Sequence, residues 1–427
     1  MCMSEGRAKM NVLNQLHDFC AVNDHVSVKN KDRVTGSFRD YTIASVFQPI
    51  FSLSHKNPVG YEALCHAKSA AGFPVSSLAL FGQAQSESDS VLLDRLCRAV
   101  HVQNFSFLSS DSWIFLNVNP LVTVVGKNYG AFFEEMLAHN GVPPSQVVVE
   151  ILEKNIYDES ILRAAVNYYK KLGCLVAIDD FGASHSNFDR IWNIQPDIVK
   201  FDRSIILQAE ANHLIRKALP NLVSLIQEIG CITLMEGVET EQQALITVDS
   251  NVDMVQGYYF GYPKDTLVDP LEQENSLSRL SLKHAAFSEI ERVRYRNVIN
   301  QCAVHFRLAL EKIKAGLGAQ QVSRSLLTLP NARRIYFVDE KGYQIGKNIT
   351  VDQSQDHADP RYKPLSQAVD PNWSRRYYFK QAMLNPGEVQ VSRPYRSIVG
   401  QHHCITLSAL VETVNGRLIV CLDLDWS

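Results

Sequence analysis

From about residue 43 to 262, short β-branched runs alternate with stretches of helical period, and this regular alternation constrains the fold more than any other feature of the chain. The runs read as strands at Val46–Ile50, Gly60–Cys65, Trp113–Val118, Gln146–Ile151, Cys174–Asp179, Asp197–Phe201, Cys231–Glu236 and Asp253–Tyr258. Between them lie amphipathic segments, among them Ser88–Gln103, Tyr157–Lys171 and Leu207–Ile229, each long enough for a crossover helix. Parallel strands require such crossovers. The expected fold class is therefore α/β with a parallel or mostly parallel sheet, and eight strands fit a closed barrel better than an open sheet.

Downstream of Pro263 the alternation stops. Ser281–Gly316 reads as one long helix with apolar positions at Leu282, Phe287, Ile290, Val293, Val298, Phe306, Leu310 and Ile313, suited either to connecting domains or to pairing two subunits. Arg333–Gly346 then reads as two strands around a turn, and Cys404–Leu424 as a hairpin closed through Asn415-Gly416. The expected organisation is an N-terminal extension (1–40), a barrel (41–268), a connecting helix (269–318) and a smaller α+β domain (319–427).

Charge narrows the ligand classes. Lys plus Arg minus Asp plus Glu is 42 − 45, or −3, which does not suit a DNA- or RNA-binding coat or a membrane-surface protein. Any polyanionic ligand must be met locally. Nine cysteines are scattered singly without a CxxC, no apolar run reaches membrane-span length, and the N-terminus lacks a signal-peptide hydrophobic region. These features predict a cytoplasmic chain with reduced thiols and no membrane span.

From Gly60–Cys65 onward each expected strand carries a polar residue at or near its end: Glu62, Asn117, Glu150, Asp179 with Asp180, Lys200, Glu236 and Gln256. In a β/α barrel those ends converge on one mouth. Strand-end ion pairs and caps could account for any single one, but that explanation has to be invoked anew for every strand. A ring of carboxylates is costly to bury without cations, and oxygen-only ligands suit Mg²⁺ or Mn²⁺ rather than Zn²⁺. The adjacent Asp179-Asp180 pair suits two such ions, a geometry used in phosphodiester hydrolysis. Lys200 would either orient the attacking water or offset charge on the phosphoryl group.

With these residues in view, the chain resembles the EAL-domain family of cyclic di-GMP phosphodiesterases. The resemblance rests on FQPI (Phe47–Ile50), YEAL (Tyr61–Leu64), FLNVN (Phe115–Asn119), VVEILE (Val148–Glu153), AIDDFG (Ala177–Gly182), DIVKFDRS (Asp197–Ser204), EGVET (Glu236–Thr240) and QGYYF (Gln256–Phe260). It implies a modified (β/α)₈ barrel with one antiparallel strand, and hydrolysis of cyclic di-GMP to linear pGpG. The family's metal ligands fall on Glu62, Asn117, Glu150, Asp179 and Asp180, and the remaining catalytic groups on Lys200, Glu236 and Gln256. Gln48, Leu64, His66 and Asp202 match substrate-groove positions, and Glu153 and Glu239 match supporting glutamates. Two ions and a homodimer are implied as well.

The chain departs from the family pattern in places. His66 stands where the family usually has an arginine that contacts a substrate phosphate, and a neutral imidazole is a weaker, pH-dependent partner for such a group. The loop after DDFG reads Ala183-Ser184-His185-Ser186-Asn187 in place of the usual TGYSS, and Met235 replaces an alanine. The complete ligand set points to a working, regulated phosphodiesterase; the departures point to the alternative, a weak or inactive cyclic di-GMP receptor that signals to a partner protein.

In the second domain, Asp370–Met383 and Arg393–Val411 are similar to PAS-like or Cache-like sensory folds. Arg376, Tyr378 and Phe379 fall on a segment that such domains place beside a small-molecule cavity. Arg376 would suit a carboxylate or phosphate, or would pair with a surface acid. His402-His403 reads as an exposed loop.

Overall fold

The computed structural model describes residues 18–30, 32–108, 111–119, 122, 132–152, 159–183, 188–268, 270–329, 331–350, 371–397, 403–414 and 416–426. The chain divides into two compact units, Met1–Phe287 and Ser288–Ser427, with the division inside the helix Pro270–Lys314. That helix begins earlier than its apolar spacing predicts, at a proline, whose missing N–H is harmless in a first turn.

In the first unit the strands are β1 (Val26–Asn30), β2 (Arg33–Phe38), β3 (Tyr41–Ser52), β4 (Pro58–Ser69), β5 (Pro74–Val75), β6 (Trp113–Val118), β7 (Val147–Leu152), β8 (Leu175–Phe181), β9 (Ile198–Phe201), β10 (Ile232–Met235) and β11 (Met254–Val255). They form an eleven-stranded sheet in the order β1-β2-β3-β11-β10-β9-β8-β7-β6-β4-β5, closed by pairing of β3 with β4. Within the closed ring β3 runs antiparallel to both neighbours, and the other six pairings of adjacent strands, from β4 round to β11, are all parallel. The result is an eight-stranded barrel with one reversed strand. Residues 26–38, read from the sequence as part of an extension, belong to the same sheet.

The crossover helices cover the barrel with the faces their sequences dictate. Glu159–Leu172 buries Leu162, Ala165, Val166 and Tyr169, spaced at the helical period. The segment expected as one helix over 207–229 is two, Arg203–Ala211 and His213–Glu228. Asn212 ends the first in an extended conformation and caps the second, its Oδ1 accepting from Leu214 N at 2.9 Å. A short polar side chain that competes for backbone donors favours such a break.

At the N-terminal end of the barrel, carboxylates join neighbouring strands. Asp197 Oδ2 accepts from Val176 N at 2.8 Å. Asp253 Oδ2 accepts from Thr233 N (2.8 Å), Thr233 Oγ1 (2.7 Å) and Gln227 Nε2 (3.1 Å).

The second unit carries an antiparallel sheet of β12 (Ala332–Val338), β13 (Gln344–Thr350), β14 (Gln390–Val391), β15 (Tyr395–Arg396), β16 (His403–Thr413) and β17 (Gly416–Asp425), in the order β13-β12-β17-β16-β14 with β15 also on β16. One face is apolar: Ile335, Phe337, Ile405, Leu407, Ala409, Val420 and Leu422 pack with Cys302, Phe306, Leu310 and Ile313 of the long helix. The β16–β17 hairpin forms where the sequence places it, one residue out of phase. Thr413 pairs with Gly416, and Gly416, at φ +109°, opens the returning strand; Asn415 lies outside the described residues.

Candidate active site

A two-residue step builds the mouth of the barrel. Ile50, Phe115, Val148, Ala177, Ile198, Leu234 and Met254 form one buried apolar cluster, one residue from each of seven barrel strands. Two positions further toward the mouth stand Gln48, Asn117, Glu150, Asp179, Lys200, Glu236 and Gln256, with Gln48 preceding Ile50 because β3 is reversed. Side chains two apart on a strand share a face, so the polar ring rests on the apolar layer. The eighth strand contributes Gly60 below Glu62. A Cβ on Gly60 would lie 2.6 Å from Phe115 Cε2, so glycine is what lets the phenyl ring fill the layer. Glu236 and Gln256 extend the ladder just past their strands, through Glu236 N to Phe201 O (3.1 Å) and Gln256 N to Met235 O (2.9 Å).

Lys200 stands at the centre of the ring, 1% exposed. Its Nζ pairs with Glu150 and lies 2.6 Å from Glu236 Oε1, 3.3 Å from Asp179 Oδ1 and 3.8 Å from Glu62 Oε2. Glu62 is held from two sides: Gln256 Nε2 donates to Oε2 at 2.7 Å and Asn117 Nδ2 to Oε1 at 3.0 Å. Burial works against the Lys200 charge, but Asp179, Glu150, Glu236 and Glu62 outweigh it and hold its pKa well above the ordinary value. Burial also pushes Glu150 far up, with Glu62 adding to the effect, and raises Asp179 and Glu236, the last to about 8. For Glu62 burial is overcome by Lys200 and the two amides, and its pKa falls below the usual carboxylate value.

A bulge lets two successive carboxylates serve one site. The β8–β9 register shifts between Ile178 and Phe181, and Asp180 adopts φ +59°, a left-handed conformation that Asp tolerates better than most residues. Asp179, Asp180 and Glu236 each offer an oxygen within 4.8 Å of the others.

The donor set fits divalent cations. Four buried or half-buried carboxylates, Glu62, Glu150, Asp179 and Glu236, face one ammonium, with Asp180 beside them. Glu150 Oε2 and Gln256 Oε1 are buried without a hydrogen-bond partner. Orphaned acceptors in a net-negative ring are costly to leave empty, and hard cations are the partners they suit.

The remaining sequence candidates divide. Glu62, Leu64 and His66 alternate along one face of β4, opposite Gln48, Val46 and Ala44 of β3, so His66 is exposed about 13 Å along the strand from Glu62. Gln48 Nε2 also reaches Gly261 O at 3.4 Å. Asp202 caps the helix Arg203–Ala211, its Oδ1 accepting from Ser204 N at 3.0 Å. Glu239 pairs with Arg203 at 2.7 Å. Glu153 and residues 184–187 lie outside the described residues, as does His402; His403 is exposed at the start of β16. In the second unit Arg376 lies 5.7 Å from the Tyr395 ring centre, Tyr378 stacks on Tyr395 at 6.1 Å, and Phe379 is core, packed with Tyr336, Val338 and Ile419. Sequence reasoning missed Arg334 and Asp423, a buried ion pair in that unit. The available signal was a charge at alternate positions of strands otherwise apolar.

Comparison with known proteins agrees with this geometry. The EAL domain family matches residues 32–263. YkuI, an EAL-domain-containing protein of Bacillus subtilis, is 25% identical over 349 residues, which cover 79% of this chain and 83% of YkuI. The crystal structure of YkuI with its substrate c-di-GMP and calcium superposes with a TM-score of 0.73 at 23% identity, covering 90% of this chain and 96% of that one, and so shares the fold. The cyclic di-GMP phosphodiesterase TpdA of Vibrio parahaemolyticus is 26% identical over 216 residues, half of this chain and 36% of TpdA. Among the described residues no helix is long and apolar enough to cross a membrane. With the family's sequence match spanning more than half of its length and the ring of acids, amides and lysine assembled at the barrel mouth, the chain belongs to the EAL-domain family.

Proposed function

We propose that the barrel hydrolyses cyclic di-GMP to linear pGpG, and that the second unit adjusts this activity. The observation that carries the reading is the complete polar ring around Lys200, with Glu62 fixed by two amides from strands far apart in sequence. In the reaction a water oxygen bonds to phosphorus, the bond to the ribose 3′ oxygen breaks, and that oxygen takes up a proton. Glu62, Asn117, Glu150, Asp179 and Asp180 would hold Mg²⁺ or Mn²⁺, two ions in all. When bound, such ions supply the Lewis acidity that activates water and stabilises the leaving oxygen.

The chain's own groups have separable tasks. Asn117 and Gln256 orient the Glu62 carboxylate. Lys200 supplies a fixed positive charge that offsets the acids and the developing phosphoryl charge, and Glu236 holds it in place at 2.6 Å. Gln48 at the level of the ring and Leu64 and His66 further along β4 line the strip of β3 and β4 where a nucleotide would lie. YkuI, whose fold this chain shares, was crystallised with c-di-GMP and calcium, which supports the ligand class. The second unit is read as a PAS- or Cache-like sensory domain, and the protein as a homodimer.

The test is product formation from cyclic di-GMP with Mg²⁺, Mn²⁺ or Ca²⁺, alongside nucleotide binding in chelator. Turnover with Mg²⁺ or Mn²⁺ that falls at least about a thousandfold in Glu62→Ala is expected. Unchanged turnover in that variant would refute the site. Tight binding without turnover under every metal would make the barrel a receptor.

A further inference from the structure

The sheet of the second unit has two unlike faces. One is the apolar face that packs on the long helix. On the other, Arg334 and Tyr336 of β12 stand at alternate positions, in register with Asp423 and Cys421 of β17, which are in turn in register with Thr406 and Ser408 of β16. Polar residues at buried sheet positions require partners, and most of these have them. Arg334 Nε donates to Asp423 Oδ2 at 2.7 Å, Thr406 Oγ1 donates to Asp423 Oδ1 at 2.7 Å, Tyr395 OH lies 2.7 Å from Thr406 Oγ1, and Ser408 Oγ donates to Tyr378 O at 2.9 Å.

Two groups on this face are left over. Arg334 Nη1 and Tyr336 OH are buried without a hydrogen-bond partner, on residues only 6% and 1% exposed. They are neighbours, since the Arg334 guanidinium carbon lies 5.0 Å from the Tyr336 ring centre. Aromatic rings continue from there: Trp373 and Tyr378 each lie 6.2 Å from Tyr336, and Tyr395 is stacked 6.1 Å from Tyr378. Burial, reinforced by Asp423, holds the Tyr336 phenol far above its ordinary pKa, so it stays a donor.

We propose that this face is a binding site for a small aromatic carboxylate, whose oxygens accept from Arg334 Nη1 and Tyr336 OH beside the tyrosine rings. The charge balance selects an anion. Asp423 neutralises Arg334, and the guanidinium of Arg376, 5.7 Å from the Tyr395 ring centre, has no ion-pair partner among the described residues. The aromatic class follows from the rings of Tyr336, Tyr378 and Tyr395, which stand side by side next to the two donors. Arg376 and Tyr378, the residues expected from the sequence, border this site, but its anchoring donors are on β12.

The proposal concerns binding alone and is independent of turnover in the barrel. The experiment uses the full chain and follows its melting temperature against benzoate, with benzamide as a neutral isostere and sodium chloride at matched ionic strength. Benzoate is expected to give a saturable rise that benzamide does not. Tyr336→Phe removes only the unpartnered hydroxyl; it should melt no lower than the parent without ligand and bind benzoate at least about tenfold more weakly, a loss of about 1.4 kcal/mol. Equal shifts with benzamide would overturn the carboxylate assignment. No saturable shift, or an undiminished one in Tyr336→Phe, would overturn the site and leave internal water as the occupant of the two donors.

Discussion

The two ends of the barrel solve the same problem in opposite ways. At the N-terminal end Asp253 receives three donors from Thr233 and Gln227, and Asp197 receives the Val176 amide. At the C-terminal end four carboxylates share one lysine, and Glu150 Oε2 has no hydrogen-bond donor at all. The first arrangement is complete within the protein and serves cohesion between strands. The second is short of positive charge and donors, a donor set that suits divalent cations. A polar residue at a strand end thus acquires its meaning from how fully its neighbours satisfy it.

The largest expected effect comes from removing the cation of the incomplete end. Lys200→Met should cost about 3–5 kcal/mol in chelator, because it leaves buried acids uncompensated, and should abolish turnover. Chemical denaturation with and without Mg²⁺ checks this, and wild-type stability in chelator would break the contrast between the two ends. Asp253→Ala comes next. It strands three donors and should cost about 2–4 kcal/mol, yet leave kcat/KM of the folded enzyme within about twofold; a large fall in kcat/KM would mean that the N-terminal end also serves the chemistry.

A third, smaller test locates acid sensitivity away from both ends. His101, on the helix Glu87–Ser106, is buried with its ring 2.8 Å from Ser45 Oγ, near Asn104, and burial lowers its pKa to about 4. The unfolded value is near 6.5. Because the folded pKa is depressed, the unfolded chain binds the proton more readily, and stability present above about pH 6.5 is lost as pH falls toward 4. The loss is up to about 3 kcal/mol. Urea melts across this range should show a shallower decline in His101→Gln than in the parent, and parallel curves would assign the acid loss elsewhere.

Much of this was legible in the sequence because barrels repeat themselves. All eight ring strands were visible as apolar runs, and the polar residues toward the ends of seven of them marked the mouth. What escaped has physical reasons. β1 is almost wholly exposed and its alternation is limited to Val26 and Val28, and β2 is held by contacts distant in sequence: Asn104 takes both the N–H and the C=O of Val34, and Arg33 pairs with Asp265. The pairing of Asp179 with Asp180 at one site depends on a bulge and a left-handed φ that residue types permit but do not announce. Likewise, Asp202 and Glu239 look alike as acids in a motif, yet one caps a helix and the other meets Arg203. Arg334 and Asp423 were hidden by the hydrophobicity of their strands, which read as core on both faces.

The two amides on Glu62 have a temporal consequence. One comes from Asn117, made soon after Glu62, but the other comes from Gln256, 194 residues later. During synthesis the growing chain can form β4 and β6 long before the last barrel strand leaves the ribosome, and in that interval Glu62 lacks its second restraint. The ring of acids, amides and lysine is therefore completed only when the barrel closes, and a truncated translation product ending before residue 256 would carry most of the acids without the second amide that fixes Glu62.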